Sequence, residues 1–177
     1  PPRTRTPESG ITLESEELCL QAMSADPLDR PSAKELADHI GTILEGTKER
    51  ERRIEEARTR VREGSAALDR WRILKEELGE LDHRVRELAK SVAPWAPSAE
   101  KAPVWELEDR ASRLRIEAIG AFEEAEAGFL RALGEVPDDR DARNFLATLY
   151  FDRFSEAEKT HDIEGQRYFR SLVTRYD

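Results

Sequence analysis

The sequence predicts an all-α protein built on a long antiparallel helical hairpin, with a further helix pair behind it. Three observations lead there. Of 177 residues, 38% are charged and 38% hydrophobic but only 7% aromatic, a mixture that suits long helices better than a large globular core. Residues 47–92 contain no proline, and apolar or small residues recur there at spacings of three and four. Directly afterwards Pro94, Pro97 and Pro103 fall within ten residues, enough chain to break the helix and reverse its direction.

Segment 1–45 is expected to hold two helices around a turn. Leu13, Leu18, Cys19, Ala22 and Met23 mark the first, and Cys19 and Met23 read as core packing, since free cysteine is commonly buried. Pro27 and Pro31 bracket the turn, because proline disfavours helix in the residue before it. Ser32, with Glu35 three residues on, is a capping box in which each side chain serves a free backbone N–H at a helix start. Ala33, Leu36, Ala37, Ile40 and Leu44 follow at helical spacing, and Gly46 is the expected stop.

These residues resemble the closing segment of a Ser/Thr protein kinase domain, bacterial members of the family especially. The matching positions are Leu13, Leu18, Cys19, Ala22 and Met23, then Asp26, Pro27, Arg30 and Pro31, then Ser32, Ala33, Glu35 and Leu36, with Gln21 replacing the family's usual Lys or Arg. The resemblance implies that residues 1–45 are the last two helices of a kinase C-lobe, with Asp26, Pro27, Arg30, Ser32 and Glu35 as structural residues of that fold. In a complete kinase the arginine matching Arg30 pairs with the Glu of an Ala-Pro-Glu motif, and that motif is missing here. So are the Gly-rich loop, the Val-Ala-Ile-Lys strand, the His-Arg-Asp loop and Asp-Phe-Gly. The chain is therefore expected to be non-catalytic and to hold no cofactor, while ATP and Mg²⁺ are expected for the kinase domain of the parent protein.

Segment 46–92 reads as one coiled-coil-like helix. Ile54, Ala57, Val61, Gly64, Leu68 and Trp71 lead into Leu74, Leu78, Leu81, Val85, Leu88 and Val92, and the two threes at Leu68–Trp71–Leu74 form a stammer. Leu74, Leu78, Leu81, Val85 and Leu88 are the candidate seam for self-association into a homodimer; the kinase domain of the same protein is a further expected partner. Lys48 to Arg53 interleaves both signs of charge, as a solvated, ion-paired helix face does. Thr42, Thr47 and Thr59 are candidate phosphorylation sites, with Thr47 expected near a helix N-terminus where phosphate would be stabilised.

Segment 93–103 is the turn, with Trp95 and Trp105 expected to pack its corner. A helix over 104–134 follows, with a stripe of Leu107, Ala111, Leu114, Ala118, Phe122, Ala125, Phe129 and Ala132. Ala118, Gly120, Ala121, Ala125, Ala127 and Gly128 would let another helix approach closely. Asp138 or Asp139 caps the next helix, and 162–176 is its partner. Within 104–177, Ala125, Phe129, Ala132 and Pro137, then Leu146, Ala147 and Tyr150, resemble about one and a half degenerate tetratricopeptide repeats. No Trp-x-x-Leu-Gly opens the first of them, and a stable solenoid of this kind needs ~3 repeats. The resemblance implies a docking groove, for which Arg143, Asn144, Tyr150 and Arg153 are the candidates.

Charge and composition narrow the function classes. A net charge of −9 argues against a nucleic-acid partner. The single cysteine permits no internal disulfide and fits a reducing compartment. No apolar run approaches a membrane span and no signal peptide is apparent, so a cytoplasmic location without membrane attachment is expected. His39, His83 and His161 are far apart and read as helix-surface residues, not metal ligands. Two readings remain: a regulatory, self-associating tail of a bacterial Ser/Thr kinase, or a repeat-like module that docks a substrate or regulator protein.

Overall fold

The computed structural model describes residues 12–177; residues 1–11, the start of segment 1–45, lie outside the described part. All regular structure among the described residues is helical. Helix α1 spans Leu13–Ala22, a 3₁₀ turn spans Pro27–Asp29, and α2 spans Ala33–Ser91. Helices α3 (Ser98–Glu135), α4 (Arg140–Lys159) and α5 (Ile163–Tyr176) follow. The chain divides into two compact units, 12–54 and 55–177.

In the first unit, Thr12 caps α1 by accepting from the Ser15 backbone N–H at 3.2 Å. The turn and the start of α2 form where the proline spacing and the capping box predict. Gly46, however, does not stop α2, which runs through it. A lone glycine inside a helix costs roughly 1 kcal/mol, less than abandoning a continuous ladder of backbone bonds. The Thr47 hydroxyl donates to the Ile43 carbonyl at 2.9 Å, so this threonine sits in mid-helix and not near an N-terminus. Leu18 is the buried apolar residue of the unit, with Glu16 beside it. Cys19 is exposed and Met23 is 69% exposed, against the expectation of core packing. The reason is the number of layers: among the described residues of this unit only the start of α2 packs on α1, so the rest of its surface stays open.

In the second unit, α2 and α3 are antiparallel. Arg70 contacts Glu124, and Arg115 donates to Asp82 at 3.1 Å. Between those ion pairs and the hairpin's open end, Gly64 meets Gly128 backbone to backbone. These pairs advance on one helix as they recede on the other. Helix α4 lies antiparallel to α3, with Phe145 stacked on Phe129 at 5.1 Å and the Tyr150 hydroxyl donating to Glu126 at 2.7 Å. Helix α5 folds back on α4, placing Phe169 under Arg153 and Tyr176 against Tyr150. The core is Leu68, Trp71, Phe129, Leu146 and Leu149, packed with Ala57, Ala118, Ala121, Ala125, Ala132 and Ala142. Of the small residues on α3, Gly128 and Ala125 lie where α2 comes close, at Gly64, whereas a Cβ at Gly120 would meet nothing within 4 Å.

The helix ends follow local chemistry. The Asp139 carboxylate accepts from the Ala142 N–H at 2.8 Å and caps α4. At the other end, the Asp162 N–H donates to Ala157 O and the His161 N–H to Glu158 O, a Schellman motif with His161 in the left-handed conformation at φ 57°. His161 is thus a helix-end residue, not a helix-surface one. The turn between α2 and α3 is shorter than 93–103. Pro97, extended at φ −55°, precedes α3, and Pro103 lies inside the helix, where only its own bond to the fourth preceding residue is lost. Trp95, at the shortened tip, is 87% exposed and packs no corner; Trp105 is 48% exposed.

Candidate functional site

The corner between α1 and α2 assembles from local bonds. The Asp26 carboxylate accepts from the Leu28 N–H at 2.9 Å and holds the 3₁₀ turn that Pro27 begins. Glu35 accepts from the Ser32 N–H at 2.8 Å, and the Ser32 hydroxyl accepts from the Glu35 N–H at 3.3 Å, closing the capping box. The Ser32 bonds hold the Glu35 carboxyl below its usual range. Arg30 turns back on the loop, its Nε donating to Ser24 O at 2.8 Å. Asp26 and Arg30 thus serve the turn, and Ser32 and Glu35 the start of α2, each set through bonds to near neighbours.

Beside that corner is an apolar groove between α1 and the start of α2. Leu18, Cys19, Met23, Leu36, Ile40 and Leu44 are among its lining residues. Leu28 is 92% exposed and Ile40 44%. This groove is the open side of a pair of helices that bury little between themselves.

The seam residues are occupied within the chain. Leu81 is buried, and Leu74, Leu78, Val85 and Leu88 are half-buried along α2. Leu74 packs against the core, and Leu88 shares a shallow groove with Leu107 of α3. The hairpin uses this stripe.

The four docking candidates do not line one open groove. Tyr150 is 3% exposed, and its hydroxyl is committed to Glu126. Burial first, and the bond to Glu126 second, push its phenol well above the usual tyrosine range. Asn144 is exposed, while Arg143 reaches across to the Arg175 carbonyl at 3.5 Å. Arg153 lies over the Phe122 and Phe169 rings and donates to Glu156 at 2.6 Å. Of the repeat-like packing positions, Ala125, Phe129, Ala132, Leu146 and Tyr150 are buried, Ala147 is half-buried and Pro137 is exposed.

A polar node stitches the second unit together, and no sequence pattern announces it. Lys75 of α2 contacts Glu156 of α4 and lies 4.8 Å from the centre of the Trp71 ring. Burial, and next the nearby Arg153 charge, hold its ammonium below the usual lysine range. Arg72 pairs with Asp152 at 3.4 Å one turn away. These partners are about eighty positions apart, and helical periodicity cannot reveal such pairing. Their identity as matched opposite charges is the one signal available.

Among the described residues no cluster of His, Cys, Asp or Glu has the arrangement of a metal site. None of the described helices is long and apolar enough to cross a membrane. No family model, curated protein or solved structure matches the chain.

Proposed function

We propose that this chain is a non-catalytic, helical tail of a bacterial Ser/Thr protein kinase, cytoplasmic, carrying the end of the kinase C-lobe at its N-terminus and associating with a second copy through its long helices. One observation carries the reading. At the spacing of a kinase C-lobe terminus, residues 12–54 form two helices that bury Leu18 as their apolar residue and leave Leu20, Met23, Leu28, Ile40 and Leu44 exposed. Helix pairs with so little burial need a further layer to be stable, and the rest of a kinase lobe would be that layer. ATP and Mg²⁺ would be bound by such a kinase domain and not by this chain.

The alternative, a docking module that recruits a substrate or regulator to the kinase, has less support. Its proposed groove includes Tyr150, which is consumed by the core.

The test is made on the full gene product that contains this sequence. Phosphoryl transfer from Mg-ATP is expected, together with hydrogen-exchange protection of the α1 amides that is much higher there than in residues 1–177 alone. A parent protein without ATP-dependent phosphotransfer, or α1 amides that exchange equally fast in both, overturns the reading.

A further inference from the structure

Helix α5 differs from the rest of the second unit in how it is held. The buried core is supplied by α2, α3 and α4, and no residue of α5 is buried. Its apolar stripe of Phe169, Leu172, Val173 and Tyr176 is half-buried, and the rest of the helix is mostly exposed. Lys75–Glu156 and Arg72–Asp152 fasten α2 to α4; among the described residues no such ion pair fastens α5. The link from α4 to α5 is Thr160–His161–Asp162, in which His161 holds a left-handed φ of 57°. A residue with a Cβ adopts that conformation at a cost that glycine does not bear.

We infer that α5 is a latch: it opens as one unit about His161 while α2, α3 and α4 keep their packing, and when closed it covers a prearranged face of α4. The contacts define that face. Arg143 donates to the Arg175 carbonyl at 3.5 Å, and the Tyr150 ring lies 5.8 Å from Tyr176. Arg153 lies 5.3 Å from the Phe169 ring, and Gln166 donates to the Ala157 carbonyl at 3.2 Å. Positions 143, 150, 153 and 157 step by seven, three and four, which is one side of a helix. Arg143, Tyr150 and Arg153 are three of the four docking candidates, and α5 is what lies across them.

The face is also held without α5. The Tyr150 hydroxyl donates to Glu126 of α3. Arg153 is held by the Phe122 ring of α3 at 5.6 Å and by Glu156 of its own helix. None of these contacts involves α5, so opening uncovers a tyrosine ring and a guanidinium that are already positioned. The latch is autoinhibitory in form: its position decides whether that aromatic and cationic face is available for contact.

A local opening costs what the opening element has buried, and elements with few buried contacts open most readily. Opening α5 forfeits one half-buried stripe and the bonds to Arg143 and Ala157. Opening α3 forfeits the fully buried Phe129 and the alanines packed around it. The two helices therefore open at well-separated frequencies.

This inference depends neither on the kinase origin nor on self-association. Native-state hydrogen exchange on the 177-residue chain, in urea below the main unfolding transition, reads the opening helix by helix. Amides 167–176 should share one opening equilibrium, more frequent than that of the α3 amides around Phe129, while the α4 amides around Tyr150 stay protected. Phe169→Ala with Tyr176→Ala should raise α5 exchange by about tenfold or more, since it removes the aromatic contacts to α4, and leave the α3 amides unmoved. His161→Gly should act in the opposite sense and slow α5 exchange by a few-fold, because glycine takes the left-handed position freely. Protection that falls gradually towards Tyr176 is fraying of a helix end and overturns the proposal. So do α5 amides that exchange only with the whole unit, or α4 amides that open together with α5. An α5 that exchanges no more slowly in His161→Gly overturns it as well.

Discussion

Residues 12–54 and residues 55–177 share one amphipathic pattern and reach opposite outcomes. In the first, the helices bury Leu18 and leave an apolar groove open. In the second, Leu68, Phe129, Leu146 and Leu149 are all but sealed from solvent. The difference lies in how many neighbours each helix has. Helix α3 is covered by α2 on one flank and α4 on the other, whereas α1 rests on a single helix. Periodicity states that a face is apolar. It does not state how many layers will cover it.

Phe129→Ala should show the contrast most strongly. The ring is fully buried and stacked on Phe145, and its removal should destabilise the second unit by about 3–5 kcal/mol, as large aromatic deletions in cores do. Urea unfolding followed by circular dichroism reads it. Leu18→Ala, by the same measurement, should change the main transition by less than about 1 kcal/mol, since large effects come from filled cores. Equal losses for the two variants would break the comparison.

Next in size is the contact between the hairpin helices. A Cβ added at Gly128 would stand 2.9 Å from Gly64 Cα and 3.2 Å from Arg60 O. Those are backbone atoms and cannot rotate aside, so Gly128→Ala must push α2 and α3 apart, at a cost of about 1–3 kcal/mol for overpacking. Gly64→Ala meets the Phe129 ring at 2.8 Å instead. The two substitutions share one contact, so the double variant should lose less than the sum of the singles.

Tyr150→Phe should cost about 1.5 kcal/mol near neutral pH, the scale of a hydrogen bond to a charged group. The effect depends on pH in a definite direction. The folded-state phenol is held above its usual range, so the folded state keeps this proton more tightly than the unfolded one. The associated stability is present below pH ~10, where the free phenol ionises, and is lost as the pH rises further. The variant should show a shallower alkaline loss than the parent chain, read from melting temperatures between pH 8 and 11.

These residues also mark what the sequence could and could not disclose. Much of the local chemistry was legible: the capping box at Ser32 and Glu35, and a cap at Asp138 or Asp139, of which Asp139 is used, follow from neighbours within a few positions, whereas the stop expected at Gly46 did not form. The stripe through Ala118, Ala125, Phe129 and Ala132 was legible as a buried face. What failed was any inference that required knowing the third layer. Cys19, Met23 and Trp95 were read as buried because their residue types usually are, yet all three are exposed. Leu81 was read as a seam between chains, and the hairpin claimed it. For the candidate site the same limit holds: Tyr150 was visible as a helix position, but its bond to Glu126 joins residues on separate helices.

The smallest effect tests the comparison from the loose side. Gly46 lies in mid-helix, and a Cβ there would meet nothing within 4 Å. Gly46→Ala therefore brings the helical preference of alanine without any packing penalty, worth about 0.5–1 kcal/mol. In Gly128→Ala the same added methyl group has to displace backbone, and its sign is reversed. If the two units differ in packing density as argued, hydrogen exchange around residues 42–50 should slow by a few-fold in Gly46→Ala, and exchange in the core of α3 should be unmoved. A Gly46→Ala variant that destabilised its surroundings would mean that another element presses on α2 at that point, and the contrast between the two units would then be one of degree.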